Sequence, residues 1–159
     1  MKHSLNVLIR ACDVTRWHTV NTTKKQTLAE HHWAVLMILA QLMEIMNMPM
    51  SMDLMWETLL HDIDEVWKGD TPAPRKDASY GAGHLTVAFT DENQALIKVA
   101  DAIEAYWWIL NNRQGSYSEK FVVLNCHSRM MRRAKQAEEQ FFGEGFTDKV
   151  FAVFQKLAS

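Results

Sequence analysis

The segment LLHDIDEVWKGDTPAP, residues 59–74, places ionisable side chains inside an apolar helical pattern and then enters a loop rich in Gly, Asp and Pro. Asp62 shares a helical stripe with Leu59 and Val66, because these positions are three and four residues apart. A buried carboxylate without a partner is costly, and the neighbouring His61 offers one. For an isolated His-Asp pair, a structural hydrogen bond between helices is the commonest explanation. A functional interpretation of His61 and Asp62 therefore requires further candidate residues elsewhere in the sequence.

Helical periodicity extends over most of the chain and predicts an all-α bundle, with no convincing strand and no internal repeat. Thr27 and Glu30 form the sequence pattern of a capping box, and Pro49 blocks continuation of the helix that they begin. The predicted helices are 4–13, 27–47, 51–67, 91–112, 118–142 and 147–157. A chain of 159 residues can bury a substantial core, so we expect residues 1–159 to form one domain.

The connection KGDTPAPRKDASYGAGHLTVAFT, residues 68–90, departs from this helical pattern. Compact bundles usually join their helices with about 2–8 residues. A connection of this length is either disordered or functional. We interpret it as a functional loop, since its polar side chains include those of Thr71, Lys76 and His84.

Composition excludes several classes of function. The hydrophobic fraction of 48%, the charged fraction of 23% and the net charge of −2 are those of an ordinary globular protein, without a basic field for nucleic acid. Cys12 and Cys126 are too few for a disulfide framework. The longest apolar stretch is interrupted by Gln41 and Glu44, so we expect no membrane span and a cytoplasmic protein. The apolar run 107–109 suggests a surface for a second copy, and we expect a homo-oligomer.

Three predicted helices each carry an inward-facing candidate metal ligand. Asp101 lies within an apolar stripe of the helix 91–112, and His61 and Asp62 belong to the segment quoted first. On the helix 27–47, periodicity alone leaves both His31 and His32 open. Imidazole and carboxylate groups together suit Zn, Mn, Fe or Co, and helical bundles commonly build such sites from facing helices.

The order of these residues, H…HD…D, resembles that of the HD-domain metal-dependent phosphohydrolases. The chain looks in particular like the small bacterial 5′-deoxynucleotidases and the compact phage dATP triphosphohydrolases, over roughly residues 5–110. The matching fragments are RW at 16–17, AEH at 29–31, HDIDE at 61–65, GDTPAPRK at 69–76 and KVADAIEAY at 98–106. The resemblance implies an HD-domain helical bundle, and it favours His31 over His32.

The resemblance also implies a catalytic metal site. It assigns His31, His61, Asp62 and Asp101 as ligands of one divalent ion (Zn, Co or Mn), and Mg²⁺ can accompany a triphosphate. Asp62 and Glu65 are the implied catalytic residues, with Glu65 orienting the attacking water or carrying its proton. The alternative for Glu65 is an exposed helix glutamate.

Substrate contacts follow from the same resemblance. Asp70 is expected to accept the 3′-hydroxyl, Trp17 to stack on the base unless it is an ordinary core aromatic, and Arg16 to contact phosphate. Pro72 is expected to exclude a 2′-hydroxyl. The full implied set is Arg16, Trp17, Thr19, Asp70, Thr71, Pro72 and Lys76.

The expected activity is hydrolysis of deoxynucleotides at the α-phosphate. The trimmed, Gly/Ala-rich loop 78–90 favours a dATP triphosphohydrolase, which would remove dATP from the nucleotide pool of a phage-infected cell. The alternative is a 5′-deoxynucleotidase that acts on dNMPs. A nucleotide-sensing module and a helical interaction protein with a structural metal are less consistent with Glu65 and Asp70. His18 and His84 are left without a role. The basic run 129–133 is interpreted as a solvated helix face, and the alternative is that in an oligomer it contributes positive charge to the triphosphate pocket of a neighbouring subunit.

Overall fold

The computed structural model describes residues 5–70 and 89–158. Its elements are α1 (Leu5–Arg10), β1 (Thr15–Arg16), β2 (Gln26–Thr27), α2 (Leu28–Met46), α3 (Met52–Leu60), α4 (Glu65–Lys68), α5 (Glu92–Asn112), α6 (Ser118–Phe142, with π-helical turns at both ends) and α7 (Phe146–Ala158). The predicted all-α fold is confirmed. None of the helices described is long and apolar enough to cross a membrane.

Helix α2 begins and ends as its sequence predicts. Thr27 Oγ1 accepts the Glu30 N–H at 3.2 Å, and Glu30 Oε2 accepts the Thr27 N–H at 2.7 Å, so the capping box is formed. Asn47 ends the helix in the left-handed conformation, with φ of 56°. This capped start fixes the direction in which His31, one turn later, enters the core.

Helix α5 runs through the centre of the core and packs against α2, α6 and α7. Its fully buried apolar side chains include those of Leu96, Val99 and Ile103. Asp101 and Glu104 lie on the same helix and are 3% and 0% exposed. The packing of α5 thus carries two carboxyl groups into an apolar interior, where each requires a partner.

The predicted helix 51–67 is wrong as a continuous element, because it breaks between α3 and α4. The Glu65 N–H donates to the Asp62 carbonyl at 2.9 Å, a tighter hydrogen bond than that of an α-helix. His61 Nδ1 donates to the Thr58 carbonyl at 2.7 Å, which is the group that the Asp62 amide would use in a continuing α-helix. The His61 side chain therefore competes with the Asp62 backbone N–H for the Thr58 carbonyl, and this competition favours a break in the helix at this turn.

The short antiparallel pair β1–β2 was not predicted. Arg16 lies opposite Gln26 in its register. Strands of two residues carry no detectable alternation, so periodicity cannot reveal them. The pairing places Arg16 and Trp17 beside the start of α2.

The expectation that 107–109 forms an apolar surface is wrong. Trp108 and Ile109 are buried, and the Trp107 indole N–H donates to the Leu157 carbonyl at 3.2 Å. The exposed apolar side chains lie elsewhere and include Trp33, Met37, Trp67, Phe121 and Leu124. The homo-oligomer stays a prediction.

Candidate metal centre and its surroundings

Side chains from α2, the α3–α4 turn and α5 converge on one point in the core. His31, His61 and Asp101 each offer one ligand atom, and the three atoms all lie within 4.8 Å of one another. His31 Nε2 lies 3.3 Å from His61 Nε2 and 3.5 Å from Asp101 Oδ1. The structure thus brings together three of the four predicted ligands as one compact group.

The hydrogen bonds of the two imidazoles determine which nitrogen of each ring carries the proton. His31 Nδ1 lies 2.8 Å from Glu104 Oε2, and His61 Nδ1 lies 2.7 Å from the Thr58 carbonyl. A carboxylate and a carbonyl oxygen only accept, so both Nδ1 atoms are donors. In the neutral rings both Nε2 atoms therefore present lone pairs to the same space.

Burial keeps the His61 ring neutral. It lowers the pKa of His61 to about 4, although the Asp62 carboxylate opposes this shift. His61 Nε2 thus carries no proton at neutral pH, and it faces the same space as His31 Nε2 and Asp101 Oδ1. A divalent transition metal accepts this combination of donors, so the residues fit such an ion.

Asp62, the fourth predicted ligand, lies beside this group. It is 7% exposed, and its Oδ2 lies 3.7 Å from His61 Nε2 and 3.6 Å from Arg16 Nη1. The three-atom group found among the described residues does not include it.

Glu65 is buried, with 2% of its surface exposed, so the alternative of an exposed helix glutamate is wrong. Its Oε2 lies 4.0 Å from Arg16 Nη1. Burial acts to lower the pKa of Arg16, but the carboxylates around it raise that pKa above its ordinary value. These carboxylates are Glu104, Asp101, Asp62 and Asp70. Arg16 is thus a charged guanidinium among the acidic groups of the site.

Trp17 and Asp70 are joined directly. The Trp17 backbone N–H donates to Asp70 Oδ2 at 3.2 Å, and His18 Nδ1 lies 3.2 Å from the same oxygen. Trp17 has φ of 60°, a left-handed conformation that is rare for a bulky residue. His18, which sequence analysis left unassigned, is therefore a partner of the predicted sugar-binding carboxylate.

Two buried residues that hold His31 were missed by sequence analysis. Glu104 accepts from His31, and its other oxygen, Oε1, accepts the Gln26 Nε2–H at 2.6 Å. Glu104 lies one turn after Asp101 on an otherwise apolar stretch of α5, and that spacing was the available signal. Gln26 lies in a β-strand too short to predict.

Arg129 is a third missed residue, and the solvated face predicted for 129–133 is wrong at this position. Its Nη2 lies 2.8 Å from Asp101 Oδ2. Burial acts to raise the pKa of Asp101, but Arg129 and then His31 outweigh it, and the pKa lies well below its usual range. Arg129 occupies Oδ2, which leaves Oδ1 facing His31.

The remaining predicted residues lie outside this group. Thr19 is exposed and lines a cleft of about 330 Å³ with Asn21 and residues 114–118. His32 is buried, and burial lowers its pKa to about 2, but it does not belong to the three-atom group of the described residues. The predicted positions Thr71, Pro72, Lys76 and His84 lie outside the described residues.

A protein-family model described as 5′-deoxynucleotidase YfbR-like matches residues 3–86. The chain belongs to this family. The matched segment contains Arg16, His31, His61 and Glu65, and it ends before Asp101. The resemblance to small HD-domain phosphohydrolases is therefore confirmed, while α5 and α6 lie beyond the matched segment of this YfbR-like chain.

Curated relatives of this YfbR-like chain include three phage proteins named dATP triphosphohydrolase. The protein of Salmonella phage PMBT28 is 28% identical over 136 residues, with 70% of this chain and 68% of that protein covered. That of Acinetobacter phage SH-Ab 15497 is 36% identical over 97 residues, which is 54% of this chain and 47% of that protein. That of Cyanophage S-2L is 26% identical over 125 residues, with 69% and 71% covered.

A solved structure shares the fold of this YfbR-like chain. It is the Cyanophage S-2L HD phosphohydrolase (DatZ) bound to dA and one catalytic Zn²⁺ ion. The TM-score is 0.79 at 24% identity, and the match covers 97% of this chain and 95% of that one. The likeness includes α5 and α6, so the HD-domain fold extends beyond the segment that the family model matches.

The ion pair between Arg129 and Asp101 predicts the effect of Arg129→Met. The metal-free variant should lose about 3 kcal/mol of unfolding free energy, because a buried carboxylate is left uncompensated. A divalent cation would then neutralise Asp101 itself. Zn²⁺ should therefore raise the unfolding temperature of the variant by more than it raises that of the wild type, in thermal unfolding followed by circular dichroism.

Arg132→Met is the matched control, because Arg132 is exposed on the same helix. Its unfolding temperature should follow that of the wild type with and without Zn²⁺. Equal Zn²⁺ effects on Arg129→Met and the wild type would contradict the role given to this ion pair.

Proposed function

We propose that the protein is a metal-dependent phosphohydrolase that cleaves dATP at the α-phosphate and releases deoxyadenosine and triphosphate. The observation that carries this proposal is the convergence of His31 Nε2, His61 Nε2 and Asp101 Oδ1 in the core. The phage relatives support dATP as the substrate. Removal of dATP from the nucleotide pool during phage infection is the corresponding role.

The metal would be held by His31, His61, Asp62 and Asp101. The catalytic Zn²⁺ ion bound to the cyanophage protein supports Zn²⁺ here, and Co²⁺ and Mn²⁺ suit the same ligands. When bound, such an ion polarises a phosphate oxygen and makes a water molecule acidic enough to attack at neutral pH. Glu104 and Arg129 keep His31 and Asp101 in the protonation and orientation that ligation requires.

Glu65 is the residue proposed to act on the attacking water. Its carboxylate is buried near Asp62, with Arg16 Nη1 within 4.0 Å of both. In this position it can orient the water and take its proton. The Arg16 guanidinium, charged and planar, can also hold oxygens of the α-phosphate, since its fork matches phosphate geometry.

The nucleoside would lie between Trp17 and Asp70. Asp70 accepts from Trp17 N–H and faces His18 through Oδ2, which holds the carboxylate in one orientation for the 3′-hydroxyl. Trp17 supplies the flat surface on which the base stacks. Thr19, Thr71 and Pro72 are proposed contacts of the base and sugar, and Lys76 of the phosphates.

Product analysis tests the function. The protein, loaded in parallel with Zn²⁺, Co²⁺ and Mn²⁺, is incubated with each dNTP and each dNMP, and the products are separated by anion exchange. Deoxyadenosine and intact triphosphate should appear from dATP. The family model favours a second candidate, a 5′-deoxynucleotidase. Phosphate from several dNMPs, with dATP left intact, would establish that activity instead.

Glu65→Gln tests the proton-transfer role. The variant should retain its metal but lose about 10²-fold or more in kcat, because the amide cannot accept the proton of the water. Metal content is measured by atomic emission alongside turnover. Asp64→Asn is the matched control, since Asp64 is exposed on the same turn, with 60% of its side chain accessible. Loss of metal from Glu65→Gln would make Glu65 a ligand and contradict this assignment.

Asp70→Asn tests the recognition of the sugar. The amide keeps one acceptor but loses the charge, so the ratio of kcat/KM for dATP over 2′,3′-dideoxyadenosine triphosphate should fall about tenfold, because only dATP carries the 3′-hydroxyl that Asp70 accepts. The two substrates are compared at equal metal loading. An unchanged ratio would place sugar recognition elsewhere.

A further inference from the structure

A continuous chain of hydrogen bonds links Trp17 to His31. The Trp17 indole Nε1–H donates to Gln26 Oε1 at 3.2 Å, and Gln26 Nε2–H donates to Glu104 Oε1 at 2.6 Å. Glu104 Oε2 accepts from His31 Nδ1 at 2.8 Å. Gln26, Glu104 and His31 are 2%, 0% and 0% exposed, so water cannot replace any of these hydrogen-bond partners.

Chemistry fixes the direction of every bond in this chain. An indole N–H only donates, so the Gln26 atom that faces Trp17 is the oxygen, and its amide nitrogen must face Glu104. Glu104 therefore accepts at both oxygens, from Gln26 on one side and from His31 on the other. Reversal of any one bond would force reversal of the others or leave a buried polar group unpaired.

We propose that Gln26 and Glu104 are positioning residues that couple the indole of Trp17 to the metal-binding nitrogen of His31. We call Trp17, Gln26, Glu104 and His31 the relay. The inference rests on the proposed function, in which Trp17 carries the base and His31 holds the metal. It goes beyond that function because it makes the two ends of the substrate site energetically dependent on each other.

The outer end of the relay is itself fixed. Trp17 donates its backbone N–H to Asp70, and its carbonyl accepts from Lys25 Nζ at 3.1 Å. These contacts, together with the bond to Gln26, hold the residue in its left-handed conformation. The base platform, the sugar-binding carboxylate and a metal ligand therefore form one hydrogen-bonded unit, which sets the distance between nucleoside and metal.

Glu104→Gln tests the coupling because the amide cannot accept at both atoms. With metal bound, His31 Nδ1–H still needs an oxygen, so residue 104 must turn its NH₂ group toward Gln26. Gln26 then turns its own oxygen inward and its NH₂ group toward the indole N–H of Trp17. Metal binding in this variant thus breaks the hydrogen bond at the far end of the relay.

Zn²⁺ affinity is measured by chelator competition on the wild type, W17F, E104Q and the double variant, without substrate. E104Q should bind Zn²⁺ about tenfold more weakly than the wild type. W17F removes the indole N–H, which in metal-bound E104Q would face the NH₂ group of the reoriented Gln26 amide, donor against donor. It should therefore strengthen Zn²⁺ binding at least threefold in the E104Q background, and should not strengthen it in the wild-type background.

The matched control is Trp67→Phe, since Trp67 is 63% exposed and lies outside the relay. It should not restore Zn²⁺ affinity to E104Q. Equal effects of W17F in the two backgrounds would overturn the relay. If E104Q only disturbed the packing of the core, adding W17F should not strengthen Zn²⁺ binding. An increase in Zn²⁺ affinity on adding W17F therefore distinguishes coupling through the relay from a general loss of packing.

Hydrogen exchange of the Trp17 indole proton gives a second readout that does not depend on E104Q folding. Its NMR signal is assigned by its loss in W17F. Zn²⁺ should slow this exchange in the wild type, because metal binding fixes His31 Nδ1–H as a donor to the relay, and should accelerate it in E104Q. An unchanged rate in the wild type would overturn the proposal.

The two proposals fail in distinguishable ways. Absence of Zn²⁺ binding in the wild type would refute the proposed metal site. Zn²⁺ binding without coupling between W17F and E104Q would refute the relay alone, whatever the substrate.

Discussion

The Nε2 atoms of two imidazoles face each other at 3.3 Å in the core, with a carboxylate oxygen beside them. Buried polar and charged groups are costly without partners, so the surrounding structure must supply those partners. Glu104 and the Thr58 carbonyl accept the Nδ1 protons, and Arg129 neutralises Asp101. These partners take the outer atoms of the three side chains and leave both Nε2 atoms and Asp101 Oδ1 directed at one point.

The irregular parts of the backbone position the side chains that meet at His31, His61 and Asp101. The break between α3 and α4 turns His61 toward His31 while Asp62 and Glu65 stay buried. The strand pair β1–β2 brings Gln26 inward to Glu104 and Arg16 toward Asp62. The regular helices form the core, whereas the α3–α4 break and the β1–β2 pair orient the polar side chains of the site.

The segment that the family model matches contains only part of the candidate metal site. The family model ends at residue 86, so it contains His31, His61 and Glu65 but neither Asp101 nor the groups that hold it. Glu104 and Arg129 come from α5 and α6, which contact each other extensively. The environment of the proposed metal therefore depends on the part of the chain that the family model does not match.

The sequence by itself determined the helical class, the start of α2 at Thr27 and the candidate ligands His61, Asp62 and Asp101, because capping and helical periodicity are local properties. It did not decide between His31 and His32 without the family resemblance, since both lie on apolar stripes and both are buried. Tertiary structure alone decided the roles of Gln26, Glu104 and Arg129, whose partners lie 78, 73 and 28 positions away in the chain. A hydrogen bond over such a separation leaves no periodic trace in the sequence, because it depends on how the helices pack and not on the residues next to it.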